Sequence, residues 1–146
     1  MVTNIWQELE QGAVVSSADA MHALARRVGE ALPPESVLAL SGDLGVGKTT
    51  FVQGLAGAFG IRERVTSPTF TLYNVHRGSR TLVHLDAYRL ESPEQVEDLL
   101  LEDFLVAPYC LAVEWPERIV GWLPAGALLL RLSIVAPGTH RVQLVR

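Results

Sequence analysis

The sequence predicts an α/β domain in three layers, with helices on both faces of a mixed central sheet, and three observations carry that expectation. An apolar run, Val37-Leu38-Ala39-Leu40, leads into a glycine-rich segment that opens directly onto a helical pattern from Thr50 to Phe59. Two more apolar runs, Leu82-Val83-His84-Leu85 and Leu111-Ala112-Val113, each end in an acid, Asp86 and Glu114. Between Phe70–His76 and Thr81–Asp86, both strand-like, Arg77-Gly78-Ser79-Arg80 reads as a hairpin turn, so part of the sheet is antiparallel.

The remaining elements follow in order. Val14 and Val15 suggest a short strand, and Ser17 is placed to N-cap a helix whose Met21, Leu24, Ala25 and Val28 recur at helical spacing. Gly29 weakens its last turn, and Pro33-Pro34 ends it. In the next helix Phe51, Val52, Leu55, Ala56 and Phe59 share an apolar face, with Gly60 as the terminal glycine. Residues 62–69 read as a loop. Ser92-Pro93-Glu94-Gln95 starts another helix, with Val96, Leu99 and Leu100 on one side. Pro116 and Pro124 bracket a short irregular or helical piece. Leu128 to Val135 and Arg141 to Val145 close the chain as strands joined at Pro137-Gly138.

With 146 residues, 49% hydrophobic and 19% charged, the chain reads as one domain, residues 1–146, with little room for a second substrate domain. A net charge of −4 argues against a domain that grips DNA or RNA by its own basic face. Met1 to Glu10 carries no basic-then-apolar leader, and the apolar stretch near Leu128 is broken by Arg131, so a cytoplasmic protein with no membrane partner is expected. Cys110, the single cysteine, lies in an apolar run and reads as a core thiol.

The chemistry is concentrated in Gly42-Asp43-Leu44-Gly45-Val46-Gly47-Lys48-Thr49, a complete G-x-x-x-x-G-K-[ST] phosphate loop, followed by Thr50. Chance supplies the pattern in about one chain of this length in two hundred. Its glycines let successive N–H groups point inward at phosphate, and the helix N-terminus adds a positive dipole end. Lys48 supplies a mobile charge for the β- and γ-phosphates, and the Thr49 hydroxyl is placed for Mg²⁺. The expected fold is therefore P-loop NTPase-like. Such a site needs an acid at the end of a second strand, and both Asp86 and Glu114 qualify. One would hold Mg²⁺ with Thr49 while the other orients the attacking water or an outer-shell water, and the residues leave open which does which. Thr66-Ser67-Pro68-Thr69 reads either as a γ-phosphate-sensing segment or as a simple turn. His84 shares a face with Asp86 and reads as a site wall or structural histidine before a general base. Trp115 either walls the site or packs under Pro116. Arg89 either pairs with a phosphate or an acidic partner surface or is solvated.

Four blocks resemble the TsaE family, also called YjeE: residues 42–51, Thr66 to Phe70, His84 to Arg89 and Glu114 to Glu117. The similarity runs from about residue 17 to the C-terminus. It implies a bacterial ATPase needed to make threonylcarbamoyladenosine beside the anticodon of tRNAs that read codons beginning with A. It also implies TsaB and TsaD as partners, tRNA met only through their complex, and hydrolysis that resets that complex while TsaD performs the transfer. By matching position, Lys48 and Thr49 bind phosphate and Mg²⁺, Thr66 to Phe70 form a switch-like segment including Thr69, and Asp86, Glu114 and Trp115 lie in the active region. Relatives often carry Glu-Thr near the base where this chain has Ala20-Met21, so adenine contacts are not carried over. The absence of an Asn-Lys-x-Asp stretch favours ATP over GTP. Two other classes compete: a small metabolite kinase, with Arg77 and Arg80 as its clustered lid arginines, and a nucleotide-gated interaction module with negligible turnover.

Overall fold

A computed structural model describes residues 4–145; Met1 to Thr3, at the head of the segment read for a leader, and Arg146 lie outside the described residues. Among the described residues seven strands form one sheet in the order β1-β7-β6-β2-β5-β4-β3. The strands are β1 (Ala13–Val15), β2 (Glu35–Ser41), β3 (Tyr73–Arg77), β4 (Thr81–Asp86), β5 (Tyr109–Glu114), β6 (Leu128–Ala136) and β7 (Thr139–Val145). β2 runs parallel to β5 and β6, and β5 parallel to β4; β3, β7 and β1 are antiparallel to their neighbours. The mixed α/β architecture is as expected, and antiparallel pairing occurs at both edges.

One face is covered by α1 (Ile5–Gln11), α2 (Ala18–Ala31) and α3 (Lys48–Ala58). Ser17 Oγ accepts from Ala20 N at 3.0 Å and caps α2, whose Met21, Leu24, Ala25 and Val28 are buried. α2 and α3 cross closely because both carry glycine at the contact. A Cβ on Gly54 would stand 2.5 Å from Ala25 Cβ, and one on Gly29 2.7 Å from Ala58 Cβ. Gly29 is thus a packing residue inside α2. Gly60 follows α3 at φ 69°, as a terminal glycine should.

The other face is thinly covered, by α4 (Pro93–Glu97) and two single 3₁₀ turns, Leu101–Phe104 and Pro116–Ile119. Here α4 is shorter than its pattern suggests. Ser92 makes no side-chain cap bond, and Gln95 Oε1 accepts from Glu91 N at 2.6 Å instead of from the cap residue. Leu99 N already bonds back to Val96, so the helix tightens and stops; Leu99 still packs, but Leu100 turns out left-handed and 63% exposed. β3 begins at Tyr73, not Phe70, because residues 66–72 wrap over the end of β4, with Asp86 N donating to Leu72 O. α1 was not foreseen. Only Ile5 and Leu9 of its seven residues are buried, too few to make a periodic signal.

Cys110 is fully buried, and burial pushes its thiol up to about 12, as a core thiol requires. Among the described residues no helix is long and apolar enough to cross a membrane.

Candidate functional site

β2 delivers the glycine-rich loop at its carboxyl end. At Gly42, φ is 145°, and a Cβ would stand 2.4 Å from the carbonyl oxygen of Leu132 on β6, so only glycine passes. Gly47, at φ 104°, N-caps α3 without any side-chain bond. The leading N–H groups of α3 are therefore left to an anion, with the dipole end behind them.

Lys48 opens α3 and is only 6% exposed. Its Nζ donates to Gly42 O at 2.6 Å and lies 3.8 Å from the centroid of the Trp115 ring. Burial holds its amine below the ordinary 10.5, against the opposing pull of Glu114, Glu117, Asp86 and Asp43. Four carboxylates thus act on this lysine, and Arg131 lines the neighbouring cavity with two of them, Asp43 and Glu117. A polyphosphate alone is poorly matched to that balance, whereas one carrying a divalent cation fits it.

Sheet register brings the two acids together. Asp86 pairs with Glu114, and Glu114 pairs with Leu40 one residue before the end of β2. Both acids are nearly buried, at 6% and 4%. Asp86 Oδ1 accepts from Tyr88 N at 3.0 Å, and Oδ2 from Thr69 Oγ1 at a loose 3.4 Å; Thr69 also meets Ser67 at 2.7 Å. The segment carrying these hydroxyls is rooted to α3, since Gln53 Nε2 donates to Val65 O at 3.0 Å while its Oε1 lies 2.9 Å from His22 Nε2. His84 is completely buried on the Asp86 face, with Nε2 at 2.5 Å from Glu114 Oε2; it lies behind the site.

Leu44, Gly45, Gly47, Lys48, Thr49, Thr50, Thr69, Asp86, Glu114 and Trp115, all expected at the site, line one cavity of about 500 Å³ together with Ser67 and Tyr88. Gly42, Asp43 and Val46 instead line a neighbouring cavity of about 680 Å³ against Glu117, Arg131 and Ser133. Leu44 and Trp115 border both. Trp115 takes the walling role, in a left-handed conformation at φ 57°, with the Tyr88 ring 5.0 Å away and the Arg118 guanidinium 5.4 Å over Tyr88. Arg89 is exposed, in line with the solvated expectation, and stacks 5.1 Å over the exposed Phe70 ring. Among the described residues no three His, Cys, Asp or Glu side chains gather to hold a metal, so a cation here would take part of its shell from ligand and water.

Tyr88 was missed as a lining residue, and Ser67 was read only within the 66–69 segment. Tyr88 lies past the end of β4, where strand alternation no longer says which way a side chain points. Arg77 and Arg80, the kinase-lid candidates, are at the opposite end of the sheet, where Thr81 pairs with Tyr109 and Tyr109 with Glu35. Arg80 donates to the carbonyls of Leu32 (3.2 Å), Pro33 (2.7 Å) and Tyr109, closing the amino ends of β2 and β5.

Residues 15–142 match the family model described as threonylcarbamoyl adenosine biosynthesis protein TsaE. The tRNA threonylcarbamoyladenosine biosynthesis protein TsaE of Treponema pallidum is 41% identical over 115 residues, 79% of this chain and 85% of the relative. The protein of that name from Streptomyces coelicolor is 41% identical over 117 residues, 77% and 78% of the two chains. Among solved structures, Bacillus subtilis YdiB superposes with a TM-score of 0.76 at 30% identity, covering 91% of this chain and 82% of that one.

Proposed function

The chain belongs to the TsaE family, which acts in tRNA threonylcarbamoyladenosine biosynthesis, and from that premise we propose that it is a Mg²⁺-dependent ATPase acting in the cytoplasm on a TsaB–TsaD complex. One observation carries the reading: the uncapped N-terminus of α3 and Lys48 face Asp86 and Glu114 across a single cavity. Bound ATP with Mg²⁺ would supply the transferable γ-phosphoryl group, with the cation on the side of the carboxylates. The chain's residues do the rest. The loop's N–H groups and Lys48 grip phosphate, Thr49 and an acid hold the cation's side, and the other acid orients water. Thr69 sits on Asp86, so the 66–70 segment is placed to respond to what the cavity holds.

Slow turnover by the chain alone suits a site whose Lys48 is engaged with its own loop and with Trp115. Contact with tRNA would come through the partners, in keeping with the charge of −4. The kinase alternative loses its lid, because Arg80 is committed to three backbone carbonyls far from the loop.

The test is ATP turnover by the purified chain, counting ADP and free phosphate, alone and then with TsaB, TsaD and tRNA. Phosphate release that rises with the partners, alongside multi-turnover tRNA modification, is expected. No partner effect would refute the proposal, and ADP without matching phosphate once a metabolite is added would favour a kinase. Asp86→Ala and Glu114→Ala should each lower turnover by about a hundred-fold or more and lower MgATP affinity by less. Parental rates in both would remove the acids from the mechanism.

A further inference from the structure

The two acids at the cavity differ in how their oxygens are engaged. Asp86 has both occupied, Oδ1 by Tyr88 N and Oδ2 by Thr69. Glu114 has one: Oε2 meets His84 Nε2, while among the described residues Oε1 takes no hydrogen bond and is not a buried unpartnered atom. Oε1 is thus the atom that Glu114 presents to the cavity it lines.

His84 itself sits in the second strand from the edge, in a buried row, with its Nδ1 buried and, among the described residues, without a hydrogen-bond partner. A proton on Nδ1 would be a buried donor with no acceptor, whereas a bare lone pair there is tolerated more easily. The proton therefore belongs on Nε2, where it donates to Glu114 Oε2. The backbone beneath is held on both sides: β5 is bonded to β2 and to β4, so neither residue can drift along the sheet.

We propose that His84 is the positioning residue for Glu114, and that the pair makes Glu114, through Oε1, the acid that orients water. This rests on the ATPase reading given above. A histidine that merely filled the core would tolerate any side chain of its volume. A positioning histidine needs a donor at the place of Nε2.

The experiment compares His84→Leu, which keeps approximate volume and loses the donor, with His84→Gln, whose amide nitrogen reaches about as far as Nε2. Binding of a non-hydrolysable ATP analogue with Mg²⁺, turnover with the partners present, and Tm are measured for each. For His84→Leu, affinity within about three-fold of the parent and turnover lower by roughly 10–100-fold are expected, the usual effect of removing an outer partner of a site ligand. His84→Gln should recover most of that loss. In a Glu114→Gln background, His84→Leu should change turnover by less than about two-fold, because the two residues act as one unit. Parental turnover in His84→Leu, equal losses in Leu and Gln variants, or affinity and turnover falling together would overturn the proposal. Long-range ¹⁵N–¹H NMR of the parent reads the pair without any turnover: a His84 proton on Nε2 is required, and one on Nδ1 overturns it, even if His84→Leu fails to fold. A parent that hydrolyses nothing with its partners would refute the ATPase reading while the NMR result still decides the pair.

Discussion

Replacing Lys48 by methionine separates what its charge does for ligand from what it does for the fold. The variant keeps an unbranched chain against Trp115 but loses the ammonium, its bond to Gly42 O and its place over the ring. For binding, each bond from an ammonium to phosphate is worth about 1.5–3 kcal/mol. A loss of about 3 kcal/mol, roughly a hundred-fold in Kd for MgATP, is expected by calorimetric titration. For the ligand-free fold, the variant forfeits a cation–π contact of about 0.5–2 kcal/mol and one hydrogen bond. Against this, burial disfavours the parent's charge by more than its carboxylate neighbours offset, since the amine titrates below 10.5. The net change at neutral pH should lie within about 1 kcal/mol of zero, a Tm shift under about 4 °C. The pH dependence has a definite sign. Between the lowered folded value and 10.5 the unfolded chain binds more protons, so the parent gains stability as pH rises through that window; below it the penalty is fully present. The methionine variant lacks this gain, so calorimetry should show the parent improving relative to it toward pH 10.5. Unchanged MgATP affinity would refute the phosphate-loop reading. A Tm fall beyond about 8 °C at pH 7, or a gap between parent and variant that ignores pH, would refute the charge-burial argument.

Arg80→Met should destabilise the fold by about 2–4 kcal/mol in urea titrations, because three carbonyls lose their donor, while folded protein keeps parental MgATP affinity; a selective loss of turnover would restore Arg80 to the site. Gly54→Ala should cost about 2 kcal/mol or more, since its Cβ would meet His22 O at 2.6 Å and Ala25 Cβ at 2.5 Å; Gly57→Ala, with nothing within 4 Å, should stabilise by about 0.5–1 kcal/mol. Equal Tm shifts in the two variants would contradict the close α2–α3 crossing. Cys110 should resist a thiol reagent at pH 8 until the protein unfolds, and labelling of the native protein at the rate of a free thiol would refute its burial.

Much of the frame was legible because its causes are local. The phosphate loop is eight consecutive residues whose chemistry depends on glycine freedom and one lysine, and α2 and α3 announce themselves by side chains three and four apart. Less was legible where a signal stops or is shared. The Ser92 pattern pointed to a longer helix than Pro93–Glu97, since nothing local says that the chain tightens after Val96. The strand expected from Phe70 starts at Tyr73, since wrapping over β4 competes with pairing. Arg77 and Arg80 looked like a lid only because sequence spacing cannot tell one end of a sheet from the other.

By itself, then, the sequence determined the β2–loop–α3 unit, the two acids as strand-end residues, and the alternation that puts His84 on the face of Asp86. Only the tertiary structure decided which of them meet. Bringing β4 and β5 side by side in the register Asp86 to Glu114 places His84 within reach of Glu114 and both acids opposite Lys48. Register arises from long-range strand pairing and from the packing of both sheet faces, energies spread over residues distant in sequence, and no short window of the chain contains them.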